Sequence, residues 1–199
     1  MAKLVSKGNS NFVVGVVSYI NDTNPAVTNI SMVLNEYDRE KKETTTCYLN
    51  AAGWDNSVEN GPMANMPERI KKAKLAPGSL VMLRCGKISE NGVAKNGTAR
   101  KSATLYDFQY SSLVENEKNS IVLGHIGNVE TRLDQEKNKV LVVSIAVNVK
   151  KDETRWITAR FSGKSYEAAE KFAVKGKPFA AIGSLSGDKM TAYIFVAAK

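Results

Sequence analysis

The chain has 199 residues, 43% of them hydrophobic and 24% charged, and a formal net charge of +8. That composition excludes a wholly disordered polymer and leaves room for one large domain or two of roughly 100 residues. No apolar run approaches the about 20 residues of a membrane span, and the opening MAKLVSKGNSN lacks a signal-peptide core, so a cytoplasmic protein with no membrane partner is expected.

Past this short basic lead-in, strand signals dominate. Residues 12–20 (FVVGVVSYI), 29–37 (NISMVLNEY), 44–52 (TTTCYLNAA), 80–88 (LVMLRCGKI) and 102–110 (SATLYDFQY) are β-branched, aromatic-rich or alternating, and turn residues separate most of them. One helix interrupts them at 66–74 (MPERIKKAK), with Pro67 at an allowed N-terminal position. The Gly-rich stretch 91–101 (NGVAKNGTARK) predicts a long mobile hairpin carrying Lys95, Arg100 and Lys101. After a polar linker at 111–120, the order repeats: strands at 121–132, 140–148 and 155–163, a helix at 166–174, then strands at 179–185 and 190–196. FVVGVV opens one half and IVLGHIG the other, and AKLAPGSLVMLRCGKIS answers to AVKGKPFAAIGSLS. Both halves carry an excess of Lys and Arg, which suits a polyanionic partner.

Five strands with a helix between the third and fourth is the layout of the oligonucleotide-binding (OB) fold. The expected fold class is therefore all-β: two tandem five-stranded OB barrels, each with a short helix between strands 3 and 4, over residues 1–112 and 113–199.

Side chains alternate along a strand, which sorts core from surface. On 156–162, Ile157, Ala159 and Phe161 take the core face, while Trp156, Thr158, Arg160 and Ser162 share the other. An outward indole beside a guanidinium is what a base-stacking platform needs: its π-face accepts any base, at about 1–3 kcal/mol per stacked base. On the preceding strand, Val142, Ser144, Ala146 and Asn148 are expected outside. Lys150, Lys151 and Arg155 fall on the hairpin joining the two strands, where they could track a phosphate backbone or form a solvated tip. In the first half, counting back from Gly53 as the counterpart of Gly163 pairs Thr46 with Trp156. Tyr48 is then the best outward stacking candidate, followed by Tyr37. Trp54 either stacks or covers the barrel bottom.

Other chemistry finds little support. The carboxylates scatter through turns (Asp38-Arg39-Glu40, Asp134-Gln135-Glu136, Asp152-Glu153), and no phosphate loop, triad or metal-ligand spacing occurs. No enzyme activity, cofactor or metal is expected. Cys47 and Cys85 fall in apolar runs and read as reduced, buried thiols, and His125 has no evident partner.

The second half resembles the bacterial single-stranded DNA-binding protein family, through IVLGHIGNVETR, VVSIAVN and TRWITARFSGKSYEAAEKFAVKGKPFAAIGSLSG, in the family's order over most of 121–187. The resemblance implies that Trp156 stacks on bases and that single-stranded DNA is the partner, bound with little sequence preference during replication or recombination. It also implies a homodimer, which would bring four OB folds together. Two departures stand out: Ser162 takes the place of a second aromatic before Gly163-Lys164, and the chain ends FVAAK where an acidic tail is usual. An RNA-binding or primosome-type module and a purely structural OB protein remain open alternatives.

Overall fold

Strands make up most of the chain in the computed structural model, which describes residues 2–38, 42–55, 65–116, 119–150 and 152–198. It divides into two units, Met1–Gln109 and Tyr110–Lys199. The first contains β1 (Lys3–Lys7), β2 (Ser10–Asn24), β3 (Val27–Asp38), β4 (Glu43–Trp54), α1 (Met66–Lys72), β5 (Leu80–Cys85), β6 (Ser89–Val93) and β7 (Ala99–Gln109). Pairing runs β2–β3–β4–β7–β5 and returns to β2, closing a five-stranded barrel in which only β4 and β7 are parallel.

Two strands lie outside this circuit. The basic lead-in is not a loose arm: it forms β1, paired with β2 from Lys3↔Val14 to Lys7↔Ser10. The segment expected as a long hairpin is one, formed by β6 and the start of β7 around a short turn. That turn is closed by Ala94 N–H to the Thr98 carbonyl (2.7 Å) and Gly97 N–H to the Ala94 carbonyl (2.9 Å).

The second unit contains β8 (Ser112–Val114), β9 (Ser120–Leu133), β10 (Lys139–Lys150), β11 (Glu153–Ser162), α2 (Lys164–Glu170), β12 (Pro178–Ser186) and β13 (Lys189–Ala197). Pairing follows β9–β10–β11–β13–β12 and returns to β9, again with the third and last strands parallel. The expected linker is not all irregular, because β8 within it pairs with β9.

Alternation builds both cores. In the first, Ile30, Met32 and Leu34 meet Leu49 and Ala51, with Leu83, Leu105 and the fully buried Met66 of α1. In the second, Leu141, Val143, Ile145 and Val147 meet Ile157, Ala159 and Phe161. Phe161 packs edge-on to Phe179 with centroids 6.0 Å apart, and truncating this buried ring in Phe161→Ala would cost about 3–5 kcal/mol. Gly53 fills the corresponding place in the first unit. A Cβ there would come 2.4 Å from Met66 Cγ, so a helix side chain occupies the space that a ring takes in the other core. Val142, assigned to the outer surface, lies on that face but is buried there. On the outer face it pairs with Arg160 and with Glu130, whose long side chains flank it.

Both circuits carry the same irregularity. In β2 the register skips Ser18, between Val17↔Met32 and Tyr19↔Ser31. In β9 it skips Gly127, between Ile126↔Ile145 and Asn128↔Ser144. The residue before each bulge turns its peptide groups to a distant turn. Val17 bonds Ser79 O and Gly78 N (2.9 and 2.8 Å), and Ile126 bonds Lys177 O and Gly176 N (3.0 and 2.7 Å). An extra residue shifts every later side chain to the opposite face.

Candidate nucleic-acid interface

On β11, Trp156 and Arg160 are exposed, Thr158 is half-buried, and the alternate residues Ile157, Ala159 and Phe161 are sealed in the core. Trp156 is 53% exposed. Its row on the sheet continues through Ala146 on β10 to His125 on β9, two positions from the bulge. Gly127 is what lets the ring lie there. A Cβ at Gly127 would stand 2.3 Å from Cζ3 and 2.7 Å from Cη2 of the indole, so the six-membered ring rests almost on the backbone. Such a ring is braced from beneath while half its surface faces solvent.

The neighbouring cations differ in what they can do. Arg160 is exposed opposite Val142 and Thr191, and it borders a shallow cleft with Leu133, Asp134, Gln135 and Glu136. Arg155, a candidate either for tracking phosphate or for a solvated hairpin tip, is engaged within the protein. It donates to Asp188 (2.5 Å), Glu115 (2.7 Å) and the Gly187 carbonyl (3.0 Å), tying β11 to the β12–β13 turn and to the segment after β8. These bonds, the one to Asp188 first, hold its guanidinium even more firmly protonated than usual. Lys150 is exposed and lies 3.4 Å from Glu153 across the hairpin. Lys151 lies outside the described residues.

In the first unit the register from the bulge sets the correspondence. Ser31 pairs with Asn50 as Ser144 pairs with Thr158. Two residues back along each strand, Tyr48, not Thr46, holds the place of Trp156. Counting from Gly53 misses by two because the strand ends differ in length. Four residues beyond Asn50, Trp54 holds the place of Ser162, so the aromatic missing from β11 is present on β4. Trp54 is 48% exposed and lines the outer sheet face. Tyr48 is half-buried, between Val33 on β3 and Arg100 on β7. Tyr37 pairs with Thr44 at the far end of β3, and its side chain lies outside the described residues.

Beside Trp54 the outer sheet face opens into a groove of about 730 Å³. Its floor is a cross-strand row, Tyr19, Ser31, Asn50 and Ser102, with Asn21, Asn29, Ala52 and Thr104 in the next. Lys87 and Arg100 lie along the β7 side, and among the described residues no carboxylate lines it. Lys101 faces the other way; its side chain is only 16% exposed and lies 3.5 Å from Glu90. Lys95 is exposed at the β6–β7 turn.

Sequence reasoning missed Tyr19, Lys87 and the amides of this groove. Strict alternation from the buried Val17 turns Tyr19 inward; the bulge at Ser18 turns it out, where it is 58% exposed. The signal was the polar Ser-Tyr pair closing an otherwise apolar run. Together the two faces offer flat aromatic surface, amide and hydroxyl groups, and positive charge.

No protein-family profile and no curated protein matches the chain. Among solved structures it is similar to the wild-type single-stranded DNA binding protein from Thermus aquaticus, at 12% identity and a TM-score of 0.35, over 100% of this chain and 94% of that one. A deletion variant of the same protein matches at 14% identity and a TM-score of 0.35, over 100% and 95%.

Proposed function

We propose that the chain is a tandem pair of OB modules that binds single-stranded DNA on the outer faces of β3–β4–β7 and β9–β10–β11. The observation that carries this reading is the indole of Trp156, laid over Gly127 with about half its surface in water. A large aromatic normally gains by burial, and one held open on a sheet beside Arg160 is arranged for a planar guest. Unpaired bases present such faces, whereas duplex bases are already stacked on one another. Trp54 and Tyr19, with Arg100 and Lys87, make the first unit a second station on the same principle. Protection of single strands in replication or recombination is the role this chemistry fits, and a homodimer would present four such faces to one strand.

Titration with oligothymidine tests the reading. Tryptophan emission should quench, single strands should bind far better than duplex, and Trp156→Ala should lose about 1–3 kcal/mol of affinity. Equal affinity for duplex, or an unchanged affinity in the variant, rejects it. Oligomers of ribothymidine in the same assay decide between DNA and RNA, since only the 2′-hydroxyl sets them apart from oligothymidine.

A further inference from the structure

We infer that the first unit's groove recognises base edges as a hydrogen-bond donor, and that it takes up ring carbonyl oxygens such as the two of thymine. This rests on the nucleic-acid reading above but departs from sequence-tolerant stacking. Two amide oxygens of the floor are already engaged within the protein. Asn50 Oδ1 accepts from the Ser31 hydroxyl (2.5 Å), and Asn21 Oδ1 accepts from the Thr23 hydroxyl (2.8 Å) and the Thr23 N–H (3.2 Å). Asn21 is thus left with its NH2 group to offer a guest, and Asn50 with its NH2 group and one oxygen lone pair, so donors predominate. Lys87 and Arg100 add donors only, and neither has a carboxylate partner among the described residues.

A donor-rich floor complements acceptors. Thymine presents two carbonyl oxygens and no exocyclic donor, so its edge is the simplest match to such a floor. Tyr19 and Trp54 flank the amides, two strands and several residues apart, about 16 Å from strand spacing and rise. That span leaves the amides facing base edges between two separate stacking stations. Trp156 is surrounded differently, by Ala146, His125 and the bulge glycine, so discrimination is assigned to the first unit.

The test separates edge recognition from stacking. Oligothymidine is compared with the same oligomer carrying difluorotoluene, a thymine-shaped ring that stacks but lacks the carbonyl oxygens and the ring N–H. The intact protein should bind the analogue about three- to tenfold more weakly, the worth of one or two hydrogen bonds. Asn50→Ala should bind thymine no better than the analogue, and Asn21→Ala, on a different strand, should narrow the gap independently if the first variant folds poorly. Asn35→Ala, on the same face beyond the groove, should leave the preference intact. Equal or tighter binding of the analogue by the intact protein, or a preference that survives both groove variants, overturns the inference and leaves the stacking reading standing. Failure of oligothymidine to bind at all overturns both.

Discussion

Substituting one methyl group for hydrogen at Gly127 should disable the Trp156 platform without touching the ring itself. The Cβ of Gly127→Ala would lie 2.3 Å from Cζ3 and 2.7 Å from Cη2. Ordinary carbon contacts begin near 3.5–4.0 Å, so the ring edge must lift by roughly 1.4 Å. A tryptophan pivots only about its two side-chain torsions, and forcing one about 30° off its well costs about 0.5–1.5 kcal/mol. If the ring leaves this pose altogether, the about 1–3 kcal/mol of one stacked base is lost. The fold should barely notice. Gly127 is not held at a positive φ, so alanine can adopt its backbone, and fewer unfolded conformations offset part of any strain. Titration is best done in a Trp54→Phe background, where Trp156 is the sole tryptophan. The expected result is an unchanged urea midpoint with about five- to a hundredfold weaker oligothymidine binding. Full affinity and full quenching in Gly127→Ala would show that the braced pose is not the binding pose.

The remaining predictions concern charge and the core. For single strands, each phosphate contact contributes about 0.7 to the slope of log affinity against log salt. Arg100→Ala and Lys87→Ala should each lower that slope by about 0.7, while Lys101→Ala should not, because it faces Glu90 on the opposite side. Arg155→Ala should cost about 1 kcal/mol of stability in urea, since a partly exposed three-acceptor site exceeds a lone surface pair only modestly, and should leave the salt slope unchanged. Burial pushes the Cys85 thiol from 9.0 up to about 12. The folded state thus holds its proton where the unfolded chain releases it, and this contribution to stability, complete below pH 9, falls as pH climbs towards 12. Urea midpoints measured from pH 8 to pH 11 should decline less in Cys85→Ala, and iodoacetamide should label Cys85 only after unfolding.

Where period-two alternation is unbroken, the sequence was a sound guide. The inward set Ile157, Ala159 and Phe161, the outward Trp156 and Arg160, and the inward Cys47, Leu49 and Ala51 all follow from parity alone. Parity could not reveal what lies next to a strand. Val142 reads as outward, and it is, yet Arg160 and Glu130 flank it there. Arg155 reads as a hairpin cation, but its partners Asp188 and Glu115 are 33 and 40 residues away in the chain. The β1 and β6 strands were illegible for a simpler reason: both are short, polar and five residues long, and register with a neighbour makes them strands where propensity does not.

The two bulges explain why the candidate site falls where it does. Val17 and Ile126 turn their peptide groups to the Gly78–Ser79 and Gly176–Lys177 turns that lead into β5 and β12, where those strands join the circuit. The ladder can recover its bonding to β3 and β10 only by passing over one residue, and that residue, Ser18 or Gly127, can be small because it meets no core. Past the skip, residues that parity would bury emerge on the outer face: Tyr19 in one unit, Asn128 in the other. The first unit uses the change to bring a phenol onto the sheet. The second uses it to place a glycine beneath an indole. One structural requirement, anchoring the fourth strand of each circuit, therefore leaves beside it an outer face whose occupant depends on a single residue. The same requirement explains why two faces alike in backbone differ in chemistry, with amides and two flanking aromatics in one and a lone braced ring in the other.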